Sequence, residues 1–149
     1  MIVHTPLRSW SLAADAARAE YVRGGAFQRN LNRFGHALFE QMAQTAVCSR
    51  QHRLDDRLCR WLLLALDRLE GPDIPMTQAA IAQVLGIRRP SVSECAERLE
   101  REGLVERGRG RLRVPDRAAL EARACACYGA IRAQYQAPAR APGSPDAPA

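Results

Sequence analysis

At 149 residues the chain is long enough for one domain of ordinary size with a hydrophobic core, or for a smaller domain with appendages. Its 22 basic and 16 acidic residues give a net charge of +6 and a pI near 9.6, a balance that favours a polyanionic partner. Five scattered cysteines argue against a disulfide framework. Arg8 and Asp15 interrupt the first 20 residues, excluding a signal peptide, and no apolar run nears the roughly 20 residues of a membrane span, so the expected location is cytoplasmic with no membrane partner.

From Ser11 to about Arg23 the residues have helical propensity but a weak apolar face, and Gly24-Gly25 closes the segment. A longer helix is predicted from Ala26 to Arg50. Its apolar positions Phe27, Leu31, Phe34 and Leu38 step by four, three and four, the a/d spacing of a two-helix coiled coil. Gln41, Thr45 and Cys48 then interrupt that row. The exposed stripe points to self-association, because a chain this short has little else to cover it.

LDDRLCRWLLLALDRL, Leu54 to Leu69, is the strongest helical pattern. Leu58, Trp61, Leu62, Ala65, Leu66 and Leu69 form a wide stripe that must be buried, so this helix belongs to the core. The loop EGPDIP, Glu70 to Pro75, stops it. Thr77 is placed to cap a helix with inner face Ile81, Val84 and Leu85, and Gly86 supplies the left-handed residue that ends it. A second helix runs from Pro90 to about Glu102, with Val92, Ala96 and Leu99 on its buried side. Two short helices packed steeply around Ile81, Leu85, Val92 and Leu99 make a helix-turn-helix.

A helix N-terminus carries free N–H groups and partial positive charge, and Arg88 and Arg89 add full charges beside it, which suits a phosphate backbone. Ser91, Ser93 and Glu94 lie on the early turns, where a helix in a DNA major groove meets base edges. After Gly103, the stretch LVERGRGRLRV has the pattern of a hairpin. Leu112 and Val114 alternate with arginines, Gly108 and Gly110 permit a turn at Arg109, and arginines at 107, 109, 111 and 113 form a basic wing.

The cysteines Cys48, Cys59, Cys95, Cys125 and Cys127 fall along helical patterns. Only Cys125 and Cys127 are close, and on a helix a C-x-C pair points its thiols about 200° apart. They are read as small buried hydrophobes, with no metal and no cofactor assigned, and a redox or metal sensor is the alternative. The histidines His4, His36 and His52 stand near no nucleophile or paired carboxylate at catalytic spacing, so no enzyme is expected.

The order LDDRLCRWLLLALDRL, a Pro/Gly loop, MTQAAIAQVLGIRRPSVSECAERLEREGLV, a basic hairpin and DRAALEARACACYGAIR resembles the C-terminal region of Crp/Fnr-type bacterial transcription regulators, over about Ser11 to Arg132. The resemblance implies a mainly α fold with a small β-hairpin wing, a winged helix-turn-helix preceded by a long dimerisation helix. It implies that Phe27 to Arg50 pairs two subunits and that Pro90 to Arg101 is the recognition helix. Arg89 falls where the family usually places a guanine-reading arginine, and Thr77 and Gln78 fall where the DNA backbone is contacted. Pro90 and Glu94 depart from the usual base-reading glutamate and arginine, although Glu94 can accept a hydrogen bond from cytosine. In the family the loop corresponding to Glu70–Pro75 touches RNA polymerase. Family members also begin with a cyclic-nucleotide-binding-type barrel, and only about ten residues, MIVHTPLRSW, precede the match, so a chain lacking that barrel is expected and no effector is assigned.

The expected organisation is a remnant segment 1–25, a dimerisation helix 26–50, a winged helix-turn-helix domain 51–133 and a disordered Pro/Ala-rich tail 134–149. The expected function is sequence-specific regulation of transcription by a homodimer on a palindromic double-stranded DNA site. The contacts are expected from Thr77, Gln78, Arg88, Arg89, Pro90, Ser91, Ser93, Glu94, Arg109 and Arg111. The alternative is an accessory protein that coats DNA or pairs with, and poisons, a full-length relative.

Overall fold

The computed structural model describes residues 9–136. His4, the first eight residues of the N-terminal segment and the tail from 137 onward lie outside the described residues. Helix α1 (Ala14–Arg23) ends at Gly24 and Gly25, whose φ of 80° and 88° turn the chain into the 26-residue α2 (Ala26–Gln51). At 1.5 Å per residue α2 is about 39 Å long. Helix α3 (Leu54–Leu66) follows after a break at His52 and Arg53, and it is the centre of the core. Leu58, Leu62 and Leu63 are fully buried, and Cys59, Leu64 and Leu66 join them, so α3 is covered on more sides than a single stripe provides.

The segment after α3 corrects two sequence expectations. The helix stops at Leu66, and Asp73–Ile74 forms a short strand, β1, inside the stretch expected to be a free loop. Ile74 is only 1% exposed, because β1 pairs with the wing and turns this side chain into the core. The surface left there for a protein partner is Glu70, Gly71, Pro72 and Pro75.

Helix α4 (Gln78–Leu85) begins at Thr77, whose side chain accepts a 3.1 Å hydrogen bond from the Ala80 amide, and it ends at Gly86 in the left-handed region (φ 66°). Its buried residues are Ile81 and Ala82, with Leu85 partly covered. Val84, which the apolar pattern places inside, is instead 51% exposed. On a helix, 81, 82 and 85 point within about 100° of one another, and 84 lies outside that sector. Helix α5 (Arg89–Arg101) buries Val92, Cys95, Ala96 and Leu99 against α3 and α4.

Strands β2 (Glu106–Gly108) and β3 (Arg111–Arg113) form the wing hairpin around Arg109–Gly110, with Gly110 at φ 74°. The sheet is antiparallel in the order β1-β3-β2, with Ile74 opposite Leu112 and Gly108 opposite Arg111. Helices α6 (Arg117–Arg123) and α7 (Cys127–Gln136) close the chain over α2 and α3. The chain is thus mainly α, with a three-stranded wing completing a winged helix-turn-helix. Cys125 lies in the turn before α7 and Cys127 at its start, so the expectation of two thiols on opposite sides of one helix does not hold.

Candidate nucleic-acid interface

The start of α5 is exposed and concentrates positive charge. Arg88 occupies the N-cap without a side-chain cap hydrogen bond, and Pro90 in the first turn has no N–H to satisfy. Arg88, Arg89 and Pro90 are exposed there, and Glu94 is exposed one turn further on. Arg88 and Arg89 make no ion pair with any described residue, so their charge is available to a ligand.

Across the turn from α4, Ser93 Oγ donates to Gln78 Oε1 at 2.6 Å. The contact joins two expected DNA-contacting residues to each other and fixes α4 against α5 at the face they share. Ser91, Ser93 and Gln78 are half-buried. The hydroxyl of Thr77 is engaged as the α4 cap.

A groove of about 490 Å³ runs between these helix ends and the wing, and its lining includes Met76, Thr77, Gln78, Arg89, Gly110 and Arg111 but no acidic residue. Thr77, Gln78, Arg89 and Arg111 therefore meet at one concave surface. Arg88, Pro90, Ser91, Ser93, Glu94 and Arg109 do not line it. Arg109 sits exposed at the wing turn.

The wing arginines are not equivalent. Arg107 pairs with Glu100 of α5 at 2.6 Å and also donates its backbone N–H to that carboxylate at 3.0 Å. These bonds hold the Glu100 carboxyl below its ordinary range. Arg113 lies 3.6 Å from Glu106, and Arg111 lies 3.8 Å from Asp73. Arg109 makes no ion pair among the described residues. The alternating pattern of four arginines showed a basic wing, but it could not show that three of them face carboxylates.

The placement of α5 is set from behind. Arg98 donates to both carboxylate oxygens of Asp55 on α3, at 2.6 and 3.0 Å, and this two-bond pair lowers the Asp55 pKa. Arg57 of α3 reaches the Leu85 carbonyl at the end of α4. The core helix thereby holds both members of the helix-turn-helix.

On α2, Leu31, Phe34 and Leu38 are exposed, as the coiled-coil reading expects, while Phe27 is half-buried. Phe34 also packs edge-on against Tyr135 of α7, with ring centres 6.4 Å apart. The exposed row continues through Met42 (63% exposed), which the sequence places alongside the heptad seam, and through Phe39 (67%), which the heptad reading missed. Gln41 and Thr45 turn inward. Gln41 accepts from Arg68 and from Tyr135, and Thr45 accepts from Arg60. A straight helix rotates a seven-residue row by about 20° per heptad, which carries positions 34, 41 and 48 progressively onto the helix's own domain.

Residues 56–123 match the family model described as the Crp-like helix-turn-helix domain. The chain is similar to the solved structure of a transcriptional regulator of the CRP family from Thermus thermophilus, with a TM-score of 0.56 and 26% identity over 76% of this chain and 56% of that one. It is also similar in fold to a protein from Eubacterium rectale ATCC 33656 assigned to the Crp/Fnr family of transcriptional regulators, with a TM-score of 0.55 and 21% identity over 73% of this chain and 50% of that one. The chain spans about half the length of these structures. No curated protein matches it.

Proposed function

We propose that the chain is a sequence-specific DNA-binding transcription regulator that acts as a homodimer on a two-fold symmetric site. The observation that carries this reading is the groove free of acidic residues, where Thr77, Gln78, Arg89 and Arg111 converge beside the uncapped start of α5. An exposed helix start with two unpaired arginines is shaped to enter a major groove. There Arg89 reads a guanine through its O6 and N7, Arg88 and Thr77 meet the flanking backbone, and Arg109 and Arg111 hold phosphate from the wing. Ser91, Pro90 and Glu94, outside the protein's own groove, would face the DNA major groove from the first turns of α5, and the Ser93–Gln78 pair sets the register between the two helices.

The pairing element is the span 26–50, through Leu31, Phe34 and Leu38, with Phe27 near its start. It presents two copies of the domain 51–133 to half-sites about 34 Å apart. Binding selection from random double-stranded DNA with the purified chain tests the reading. A palindromic consensus is expected. Tight binding with no sequence preference would replace the regulator by a DNA-coating protein, and absence of binding at low salt would remove both.

A further inference from the structure

Far from the groove, the end of α2 and the turn into α7 bring four metal-ligating side chains together. Cys48 and His52 stand one helical turn apart at the end of α2, and Cys125 and Cys127 approach from the other side. Cys48 and Cys125 are 77 positions apart in sequence, yet all four donor atoms lie within 4.8 Å of one another.

Two of the six spacings already equal the edges of one geometry, and the others lie within 4.8 Å, close enough to be drawn onto a single ion. Cys48 Sγ is 3.8 Å from Cys125 Sγ, and Cys127 Sγ is 3.5 Å from His52 Nδ1. A tetrahedron with Zn–S of about 2.3 Å and Zn–N of about 2.0–2.1 Å has S···S edges of about 3.8 Å and S···N edges of about 3.5 Å. A disulfide would need its sulfurs at about 2.05 Å.

Two neighbours independently point to negative charge on the sulfurs. Gln44 donates its amide N–H to Cys127 Sγ at 3.0 Å, the outer-shell contact that a metal-bound thiolate accepts. Arg60 is only 3% exposed, has no carboxylate partner among the described residues, and leaves its Nε without a hydrogen bond. Its one hydrogen bond among the described residues goes to Thr45 Oγ1, on the face of α2 that carries Cys48 three positions later. An unpaired buried cation is costly. A zinc ion held by three thiolates and a neutral imidazole carries a net charge of −1, which would offset it.

We infer that Cys48, His52, Cys125 and Cys127 bind one Zn²⁺ ion as a closed tetrahedral site that fastens the end of α2 to the turn between α6 and α7. The donor set of thiolates and imidazole suits zinc. With all four corners supplied by the protein, the site is structural and leaves no position for substrate. Each cysteine binds as a thiolate, so up to three protons leave as the ion enters.

The full-length chain, reduced and stripped of metal, is titrated with Co²⁺ and then with Zn²⁺ against a chromophoric chelator. Expected are one ion per chain, the intense visible bands of tetrahedral cobalt with thiolate charge transfer, displacement of cobalt by zinc, and a thermal midpoint that rises on zinc addition. His52→Ala and Cys125→Ser should lose the cobalt bands, whereas Cys95→Ser, outside the cluster, should keep them. Gln44→Ala should retain one ion per chain with affinity weakened about 10- to 100-fold. The wild-type cobalt spectrum does not depend on any variant folding. Weak octahedral-type bands, less than one ion per chain, or a metal-free Cys48–Cys125 disulfide in the protein as isolated would overturn the site.

Discussion

Arg89 and Arg109 carry the same charge at opposite ends of the proposed interface, and their surroundings assign them different work. Arg89 lies on the groove at the start of a helix, where a fixed backbone aims its planar fork. Arg89→Ala is expected to cost about 1–3 kcal/mol on the preferred site and to relax preference at one base pair, measured by selection with the variant. Arg109 stands exposed at the wing turn. Arg109→Ala should weaken binding to all sequences alike and reduce the slope of log affinity against log salt by about one. Unchanged base preference in Arg89→Ala would show that the recognition register is wrong. Much of this site was legible, because Thr77, Gly86 and Pro90 are local signals that fix where helices begin and end. The Ser93–Gln78 bond and the carboxylate partners of the wing were not, since each depends on how neighbouring elements pack rather than on spacing.

At the scale of the element, α2 has two apolar rows, and only one is covered by other described residues. Leu31, Leu38, Phe39 and Met42 face outward, whereas Ala37 and Cys48 are buried against the rest of the molecule. Met42→Asp should therefore shift the chain toward monomer in sedimentation and abolish cooperative DNA binding, with helicity and thermal midpoint maintained. Phe34 is a poorer probe because it also packs on Tyr135. A Met42→Asp chain that stayed dimeric would exclude this row as the pairing surface. The coiled-coil spacing was readable in the sequence, but the rotation of its polar positions onto Arg60, Arg68 and Tyr135 was not. Cys48 and His52 likewise sit far in sequence from Cys125 and Cys127, and a C-x-C pair looks divergent unless the break before α7 is known.

Helix α5 is tied to α3 by a contact whose contribution to stability depends on pH. Asp55 accepts two bonds from Arg98, and these lower its pKa from the ordinary 3.8. A depressed carboxylate stabilises the folded chain fully above that ordinary value, and the contribution is lost as pH falls through the lowered one. Acid titration of the thermal midpoint should show this limb. Asp55→Asn should flatten it and cost about 1–3 kcal/mol at neutral pH. An acid limb identical in wild type and Asp55→Asn would assign it to other carboxylates.

Over the whole molecule, the sheet is small and nearly all its neighbours are helices, so its two outer margins decide whether chains can join strand to strand. One margin is β1, two residues long between Pro72 and Pro75, which bring no N–H groups to extend the ladder. On the other, the Arg107 N–H of β2 is already occupied by Glu100. Both margins thereby offer few free N–H groups to an added strand, which disfavours the runaway stacking that follows from an open edge. Pairing through the apolar row of α2, as proposed, would stop at two copies, whereas an open edge would continue to add chains.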